Sequence, residues 1–292
     1  MTIFTDNITN IHGEIGREWL NNLDTIVSDL AERWNLTNLK PFENLTFNYV
    51  LSGFQNDVPI VLKVGIRDGK LKQEARALKF FENHGAVKLM ESSEGAILLQ
   101  RTIPGNSLVE YFPNKENESI EIAANIIQKL HSVNHIADRF FHIKDLLNIL
   151  HENWEIPEHY INKAKRIAEY LQKTTERQVV MHRDLHHDNI VQDGNGWKII
   201  DPDGVIGDPI YEIASFMINP IDKIWKDENA ISIIKNRIHK FSRLLNVYHN
   251  RIAQWAFVKS VLCWIWTLED FRSRQDRSQL AILFDGIVMD LK

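Results

Sequence analysis

The chain has 292 residues, of which 44% are hydrophobic, 10% aromatic and 25% charged. These are ordinary values for globular proteins, and they exclude a disordered or fibrous chain. The 34 basic and 39 acidic residues leave a formal net charge of −5. We expect no nucleic-acid partner, because proteins that neutralise a phosphate backbone concentrate basic residues on one face. The single cysteine, Cys263, excludes an internal disulfide and a multi-cysteine metal site, and its apolar neighbours predict a buried thiol.

The sequence predicts no membrane partner. Its first residues lack the basic and apolar regions of a signal peptide. The longest apolar stretch, residues 252–268, is short for a membrane span and contains Gln254 and Lys259. We therefore expect a cytoplasmic protein, either a monomer or a homodimer.

The first hundred residues predict a small sheet that carries a helix, after a leading amphipathic helix over residues 17–34. The predicted strands are 45–51, 60–64, 87–90 and 96–100. The predicted helix within the sheet region covers residues 70–84, where apolar residues recur at helical spacing.

The run Ile103-Pro104-Gly105-Asn106 is the clearest break in the middle of the chain. Beyond it, helical periodicity covers residues 117–135, 142–153, 157–175, 209–218, 228–246, 250–271 and 276–291. One strand-rich segment, residues 179–200, interrupts these helices. The predicted fold class is therefore α+β, with a small sheet-containing lobe over residues 1–104 and a larger, mainly helical lobe over residues 105–292.

The strand-rich segment holds the residues with the clearest chemistry. It contains the polar loop HRDLHHDN (182–189), a strand, the turn DGNG (193–196), a second strand, and the polar loop IIDPDG (199–204). In such a hairpin the start of the first strand faces the end of the second, so Asp184 and Asn189 should lie beside Asp201. Carboxylate and amide oxygens suit Mg²⁺.

This segment resembles the protein-kinase-like phosphotransferases. HRDLHHDN fits their HxDxxxxN catalytic-loop pattern, and Asp201 stands where their metal-binding aspartate follows a strand. The resemblance implies a bilobal fold with a nucleotide cleft between the lobes. It implies that Asp184 orients and deprotonates the acceptor hydroxyl, that Asn189 and Asp201 hold the Mg²⁺ on the ATP phosphates, and that His182 braces the loop.

The same resemblance assigns nucleotide-binding residues in the small lobe. Lys63 fits the strand lysine that meets the α- and β-phosphates, and Glu74 fits the helix glutamate that holds this lysine. Backbone groups of Arg101 and Ile103 stand where the hinge pairs with adenine. The glycine-rich GxGxxG loop of protein kinases is absent, and the candidate phosphate contacts in its place are Thr46, Asn48 and Ser52.

Residues 201–214, DPDGVIGDPIYEIA, are similar to the IDPxGxxGDPxYDxA stretch of aminoglycoside phosphotransferases. The similarity extends over most of residues 45–275 and is closest to the streptomycin 6-phosphotransferase and hydroxyurea phosphotransferase group. Asp208 precedes Pro209 and is expected to cap the following helix. Glu212 stands where the family has aspartate, and we expect it to support the site without taking part in the chemistry.

The resemblance implies an ATP- and Mg²⁺-dependent transfer of phosphate to a hydroxyl of a streptomycin-like aminoglycoside, which would confer resistance by inactivation. The predicted partners are a nucleotide and a cationic small molecule. The candidate substrate-binding residues are Asp184, Asp203, Glu269 and Asp270. Asp203 is also a candidate to contact a second metal, or solvent alone. Glu269 and Asp270 fit an ordinary acidic helix end equally well. Trp264 and Trp266 are expected in the core, although one of them is a candidate to border the substrate pocket.

Three alternatives remain. In the first, the acceptor is another small molecule, such as choline, a sugar, hydroxyurea or a peptide antibiotic. In the second, the chain is a catalytically inactive kinase-like nucleotide-binding protein. The third alternative is a zinc-dependent hydrolase, because the loop crowds together His182, His186, His187, Asp184 and Asp188.

Overall fold

The protein, seen in a computed structural model, is described over residues 2–133, 139–269 and 277–290. The chain forms two compact units, Met1–Gly105 and Asn106–Lys292. The first unit contains a sheet with helices and the second is mainly helical, so the predicted α+β class is confirmed.

The first unit is built on a five-stranded antiparallel sheet with strand order β1-β2-β3-β5-β4. Its strands are Leu36–Pro41 (β1), Tyr49–Gln55 (β2), Val58–Val64 (β3), Leu89–Ser93 (β4) and Ala96–Gln100 (β5). The central strand β3 alternates inward apolar residues with its neighbours, and Ile60, Leu62 and Leu98 are fully buried. This packing makes β3 a rigid support for Lys63, which lies opposite Val50 and Ile97.

The helices of the first unit are Thr2–Asn21 (α1), Leu23–Trp34 (α2) and Lys70–Phe80 (α3). The helix α3 begins after Gly69, whose φ of 89° lies in the left-handed region that favours glycine. The Asp68 carboxylate accepts a hydrogen bond from the backbone amide of Lys70 at 3.0 Å and so satisfies one of the open donors at this helix end. Glu74 lies on the buried face of α3.

Several predicted boundaries in this unit were wrong. The predicted helix 17–34 is interrupted at Asn22, and helix α1 begins well before residue 17 and is kinked at Gly13. The strand β1 was missed because Asn38, Lys40 and Pro41 have low strand propensity, which an edge strand tolerates. Residues 45–48 lie outside β2, and α3 ends at Phe80.

The second unit contains eight helices among the described residues. They are Glu116–Leu130 (α4), Ile143–Leu147 (α5), Glu158–Lys173 (α6), Tyr211–Met217 (α7), Ile221–Ile224 (α8), Ala230–Leu245 (α9), His249–Glu269 (α10) and Ser278–Asp290 (α11). The predicted helix 142–153 is wrong in its second half, where α5 gives way to a 3₁₀ turn at Asn148–His151. The long helix α10 packs against α6, α7, α9 and α11, which explains why it is apolar on all sides.

Short strands position the predicted catalytic segment in this unit. They are Phe141–His142 (β7), Val179–Met181 (β8), Ile190–Asp193 (β9), Gly196–Ile199 (β10) and Val205–Gly207 (β11), and a further strand, Pro104–Ser107 (β6), contains the division between the units. Strands β9 and β10 form the predicted antiparallel hairpin, with Ile190 opposite Ile199. Strand β11 lies between β7 and β8. Strands β7 and β11 were not predicted, because two or three residues are too few to show a period.

Within the described part of the chain, every helix is too short or too polar to cross a membrane.

Candidate active site

Residues 182–189, which the sequence predicts to be the catalytic loop, run from the end of β8 to the start of β9, and His182 holds this loop in place. The His182 side chain is fully buried. Its Nδ1 accepts a hydrogen bond from the backbone amide of Asp184 at 3.3 Å, and its Nε2 donates to the carbonyl oxygen of Ile200 at 2.8 Å. These bonds assign the neutral tautomer with the proton on Nε2. His182 thus connects the loop of Asp184 to the residue before Asp201, as expected of a brace.

Glu212, the second residue of α7, holds the backbone of the same loop. Its carboxylate accepts hydrogen bonds from the backbone amides of His182 at 2.7 Å and Arg183 at 2.9 Å, and it lies 3.3 Å from Nε2 of His131. The side chain is fully buried. A buried carboxylate with several donors fixes the backbone that it accepts from, so Glu212 has the supporting position that the sequence suggested.

Asp184 carries a side chain that is 39% exposed and held by two donors from the helical core. Ser215 Oγ lies 3.1 Å and Lys259 Nζ 3.3 Å from Oδ1 of Asp184. Burial alone would raise the pKa of Asp184, but the charges of Lys259, His186 and Arg183 outweigh burial and lower the pKa below its usual range. Asp184 is therefore a carboxylate throughout the physiological pH range.

Lys259 and Ser215 were not among the predicted site residues. Ser215 lies on α7 three residues after Glu212, so both face the catalytic loop. Lys259 is a lone cation in the apolar run of α10. A charge in a fully buried helix requires a partner, and this requirement was the available signal for Lys259.

Arg183 and Asp203 form an ion pair within the site. Arg183 has a φ of 76°, which is uncommon for a residue with a side chain. Its guanidinium lies over the ring of Trp266 at 5.9 Å. Asp203 was a candidate for substrate binding, but its carboxylate is engaged with Arg183 and therefore serves first to hold this arginine.

Asn189 and Asp201 meet at the base of the β9–β10 hairpin, as the sequence predicted. The backbone amide of Ile200 donates to the carbonyl oxygen of Asn189 at 3.1 Å. The side-chain amide of Asn189 donates to the carbonyl oxygen of Asp184 at 2.9 Å, which leaves Oδ1 of Asn189 as the atom that could bind a cation. Asp201 is exposed and has a φ of 58°, a backbone conformation that costs energy and is concentrated at functional sites. One carboxylate and one amide oxygen fit Mg²⁺, which keeps several water or phosphate ligands.

The histidines of the loop point to different places, unlike the ligands of a zinc site. His182 is used by Asp184 and Ile200, and His187 is buried with its ring stacked on Phe216 at 3.9 Å. His186 accepts a hydrogen bond from the backbone amide of Asp188 at 3.2 Å. In the described ranges, no three His, Cys, Asp or Glu side chains are grouped to hold a metal ion. The structure therefore gives the zinc-hydrolase alternative no support.

In the first unit, the structure brings Lys63 and Glu74 together. Lys63 Nζ lies 2.7 Å from Oε2 of Glu74, and the two residues are 7% and 9% exposed. Lys63 comes from the central strand β3 and Glu74 from α3, so the pair joins the sheet to its helix. This geometry agrees with the lysine–glutamate pair that the sequence predicted.

The other predicted nucleotide contacts have less distinct positions. Asn48 is half-buried and its Oδ1 packs against Gly65, where even a methyl group would collide with it. Ser52 Oγ donates to the carbonyl oxygen of Lys40 at 3.3 Å. The backbone amide of Arg101 donates to the carbonyl oxygen of Pro59 at 3.0 Å, so only its carbonyl could meet an adenine. Ile103 is exposed.

The end of α10 carries the remaining predicted residues. Glu269 is exposed, whereas Asp270 lies outside the described residues. Trp264 and Trp266, expected in the core, are only partly buried: Trp264 contacts the ring of Tyr160, and Trp266 lies beside Arg183 and Lys259. Cys263 is likewise half-buried, although its surroundings raise the pKa of the thiol through desolvation.

Asp208 has a larger structural role than the predicted helix cap. Its Oδ1 accepts a hydrogen bond from the backbone amide of Ile210 at 3.0 Å, but helix α7 begins at Tyr211 with Ile210 as its cap residue. Its Oδ2 pairs with the Arg251 guanidinium and accepts from Trp255 Nε1 at 2.7 Å. Asp208 therefore anchors α10 to the segment before α7.

Comparison with known proteins connects this geometry to a family. A model of the family described as aminoglycoside/hydroxyurea antibiotic resistance kinases matches residues 39–271. The chain is 22% identical over 287 residues to streptomycin 6-kinase of Streptomyces glaucescens, covering 92% of this chain and 91% of that protein. It is 29% identical over 200 residues to streptomycin 3''-kinase of Klebsiella pneumoniae, covering 65% and 71%. It is 23% identical over 284 residues to hydroxyurea phosphotransferase of Kitasatospora aureofaciens, covering 92% and 80%.

Solved structures share the fold at low sequence identity. Choline kinase LicA from Streptococcus pneumoniae matches with a TM-score of 0.65 at 14% identity, covering 91% of this chain and 97% of that one. A thermostable mutant of aminoglycoside phosphotransferase APH(4)-Ia, solved as a ternary complex with ADP and hygromycin B, matches with a TM-score of 0.63 at 11% identity, covering 90% and 98%. These matches confirm the predicted protein-kinase-like fold. Because the family model covers most of the chain, including the catalytic loop and the loop of Asp201, the protein belongs to the aminoglycoside/hydroxyurea antibiotic resistance kinases, a family of phosphotransferases.

Proposed function

We propose that the protein transfers the γ-phosphoryl group of ATP to a hydroxyl of streptomycin or a related aminoglycoside, with Mg²⁺, and thereby inactivates the antibiotic. The observation that carries this proposal is the partly exposed carboxylate of Asp184, which Lys259 and Ser215 hold and which lies in the same loop as Asn189. The similarity to streptomycin kinases over most of the chain supports the choice of acceptor.

In the proposed reaction, Asp184 accepts a hydrogen bond from the acceptor hydroxyl and turns its oxygen toward the γ-phosphorus. A bond forms between that oxygen and phosphorus while the bond from phosphorus to the bridging oxygen of ADP breaks, and the hydroxyl proton passes to Asp184. Phosphoryl transfer requires little covalent work from a protein, so positioning and charge neutralisation supply most of the rate. This role suits a carboxylate whose pKa is lowered, because such a group orients the hydroxyl better than it removes the proton.

Two groups are proposed to neutralise the phosphates. Asn189 and Asp201 would hold Mg²⁺, which when bound withdraws charge from the phosphate oxygens. Lys63, held by Glu74, would contact the α- and β-phosphates. Backbone groups at Arg101 and Ile103 remain the proposed adenine contacts, and Asn48 the proposed contact at the phosphate loop.

The acceptor is proposed to be cationic. Streptomycin carries guanidinium groups, which form strong charge-assisted hydrogen bonds with carboxylates. Glu269 is exposed at the end of α10 and is a proposed contact, together with Asp270, whereas Asp203 first serves Arg183. Changing Glu269 to Gln should raise the KM for streptomycin several-fold without changing the KM for ATP.

Hydroxyurea is the second candidate acceptor, because a hydroxyurea phosphotransferase is similar over 92% of the chain. Hydroxyurea is small and uncharged, so it cannot form an ion pair with the exposed carboxylates. A Glu269→Gln variant that keeps full activity on hydroxyurea but loses affinity for streptomycin would separate the two acceptors.

The purified protein with ATP and Mg²⁺ should phosphorylate streptomycin when tested beside hydroxyurea, choline, hygromycin B and simple sugars. Asp184→Asn should reduce turnover by about 100-fold or more, since an amide oxygen is a weaker acceptor than a carboxylate and cannot take the hydroxyl proton. Asp188→Asn, in the same loop and more exposed, is the matched control and should retain most activity. Nucleotide binding without turnover on any acceptor would instead favour the inactive nucleotide-binding protein.

Resistance is the proposed consequence in a cell. Expression in a streptomycin-sensitive bacterium should raise the inhibitory concentration of streptomycin, and expression of Asp184→Asn should not. Equal protection by both proteins would contradict the inactivation mechanism.

A further inference from the structure

Lys259 is a buried cation that the reaction as described above does not use. It lies in the middle of α10, it is 2% exposed, and most of its neighbours along the helix are apolar. Its Nζ lies 3.3 Å from Oδ1 of Asp184, 5.0 Å from the ring of Trp266 and 5.9 Å from the ring of Tyr211. Burying an ammonium group costs several kcal/mol unless it is paired, so a position like this is kept for what the charge contacts.

The contacts of Asp184 distinguish its two carboxylate oxygens. Oδ1 faces both Lys259 Nζ and Ser215 Oγ. The Ser215 hydroxyl has one proton and also lies 3.0 Å from the carbonyl oxygen of Arg183, so this proton can serve either acceptor. Lys259 is therefore the constant donor to Oδ1. The nearest described contact of Oδ2 is Nε2 of His186 at 3.7 Å, which is too long for a hydrogen bond.

We infer that Lys259 is a positioning residue that fixes Oδ1 of Asp184 and thereby presents Oδ2 to the acceptor hydroxyl. The inference deepens the proposed function and rests on it for the identity of the reaction. In this arrangement α10 and α7 hold one oxygen from the protein interior, and the other oxygen points to where a substrate can reach it. The rings of Tyr211 and Trp266 confine the ammonium group, so the lysine has few other orientations.

The charge of Lys259 has a second consequence for the transfer. Only the carboxylate group of Asp184 separates the Lys259 ammonium from the oxygen that receives the proton. The ammonium therefore balances the negative charge of Asp184 beside the negatively charged phosphates. A neutral residue of the same length would leave Asp184 free to rotate and would leave its negative charge unbalanced as the phosphoryl group is transferred. The loss of positioning and the loss of charge balance would both lower kcat, and folding requires neither of these contributions of Lys259.

The test separates this role from a structural one by comparing stability with turnover. Lys259→Met keeps the length of the side chain and removes the charge. Its melting temperature should be unchanged or higher, because an apolar group suits this environment and Asp184, 39% exposed, can be solvated by water. Its kcat should fall about 10- to 100-fold, as expected when a catalytic group is misplaced, with the KM for ATP little changed.

Three further variants complete the comparison. Lys259→Arg should recover part of the lost kcat, and Ser215→Ala should cost only about 5-fold, the worth of one ordinary hydrogen bond. Lys163→Met is the matched control, because Lys163 also pairs with a carboxylate, Asp285, and lies over an aromatic ring, Phe257, but contacts no site residue. Its kcat should equal that of the wild type.

A wild-type kcat in Lys259→Met would overturn the inference. So would a loss of activity that follows a loss of folded protein and is not relieved by Lys259→Arg. If the wild type phosphorylates no acceptor, the proposed function fails, and the positioning role is still decided by crystal structures. The Asp184 carboxylate should have one orientation in the wild type and a different or divided one in Lys259→Met, and an unchanged orientation would refute the role.

Discussion

The ring of His182 donates a hydrogen bond to the carbonyl oxygen of Ile200 across 2.8 Å, and this contact joins two loops that lie 18 residues apart in the sequence. The other ring nitrogen accepts from the backbone amide of Asp184. One buried imidazole therefore connects the backbone of Asp184, the proposed catalytic residue, to the residue that leads into Asp201. The histidine of the HxD motif therefore joins the two loops through its hydrogen bonds.

Replacing His182 with Phe should separate these loops while keeping an aromatic ring at this position. The carbonyl oxygen of Ile200 and the amide of Asp184 would both lose a partner in a buried region, at a cost of about 1–3 kcal/mol in the free energy of unfolding. We expect kcat to fall about 100-fold and the Mg²⁺ concentration for half-maximal activity to rise, because Asp201 is displaced. Steady-state kinetics with varied Mg²⁺ checks this, with the exposed His249→Phe as control. An unchanged Mg²⁺ requirement would contradict the connection.

Glu212 should be necessary for the conformation of the catalytic loop. It accepts from two backbone amides, and Gln in its place would offer one oxygen and would turn an amide group toward a donor. Glu212→Gln should therefore lower the free energy of unfolding by about 1.5–3 kcal/mol, the range for a hydrogen bond to a charged group.

The control for Glu212 is Glu121→Gln, which breaks an ion pair between Glu121 and Lys240 at the surface. Exposed pairs contribute about 0–1 kcal/mol. Urea unfolding of the two variants measures the difference, and equal losses would show that the buried carboxylate has no special role.

Much of the site could be predicted because its residues are close in sequence. The β9–β10 hairpin follows from two short apolar runs around an Asp-Gly-Asn-Gly turn, and its register then places Asn189 beside Asp201. The pairing of Lys63 with Glu74 followed from the family pattern, and the two are only 11 residues apart.

The missed residues reach the site from far along the chain. Lys259 is 75 residues from Asp184 and Ser215 is 31, and no local period indicates which faces of α10 and α7 meet the loop. The sequence left Asp203 open between the substrate, a second metal and solvent alone. It pairs with Arg183, 20 residues earlier in the chain and in a backbone conformation with positive φ, and sequence patterns reveal neither feature. Burial and long-range packing, which decide these cases, become visible only in three dimensions.

The Lys63–Glu74 pair should govern the affinity for nucleotide without affecting the acceptor. Lys63→Met should raise the KM for ATP about 10-fold or more, because a desolvated charge pair contributes strongly to phosphate binding. Glu74→Gln should have a smaller effect of the same kind, since the lysine remains but is held less firmly. The exposed Lys70→Met, which breaks a pair with Asp68, is the control. Isothermal titration with a non-hydrolysable ATP analogue measures the change, and unaltered affinity in Lys63→Met would refute the assignment.

His187 should make the protein less stable in mildly acidic solution. Burial lowers the pKa of His187 well below its ordinary value of 6.5, and its ring is stacked on Phe216. The unfolded chain therefore binds a proton as the pH falls below about 6.5, whereas the folded protein does not, so the stability contributed by this group is complete above that pH and is lost below it. The slope from this one group approaches about 1.4 kcal/mol per pH unit.

His187→Phe keeps the stacking and removes the titration, so urea unfolding at about pH 5 and about pH 7.5 should show a smaller difference than in the wild type. The exposed His151→Phe should keep the wild-type difference, and a His187→Phe variant that also kept it would show that other groups cause the acid sensitivity.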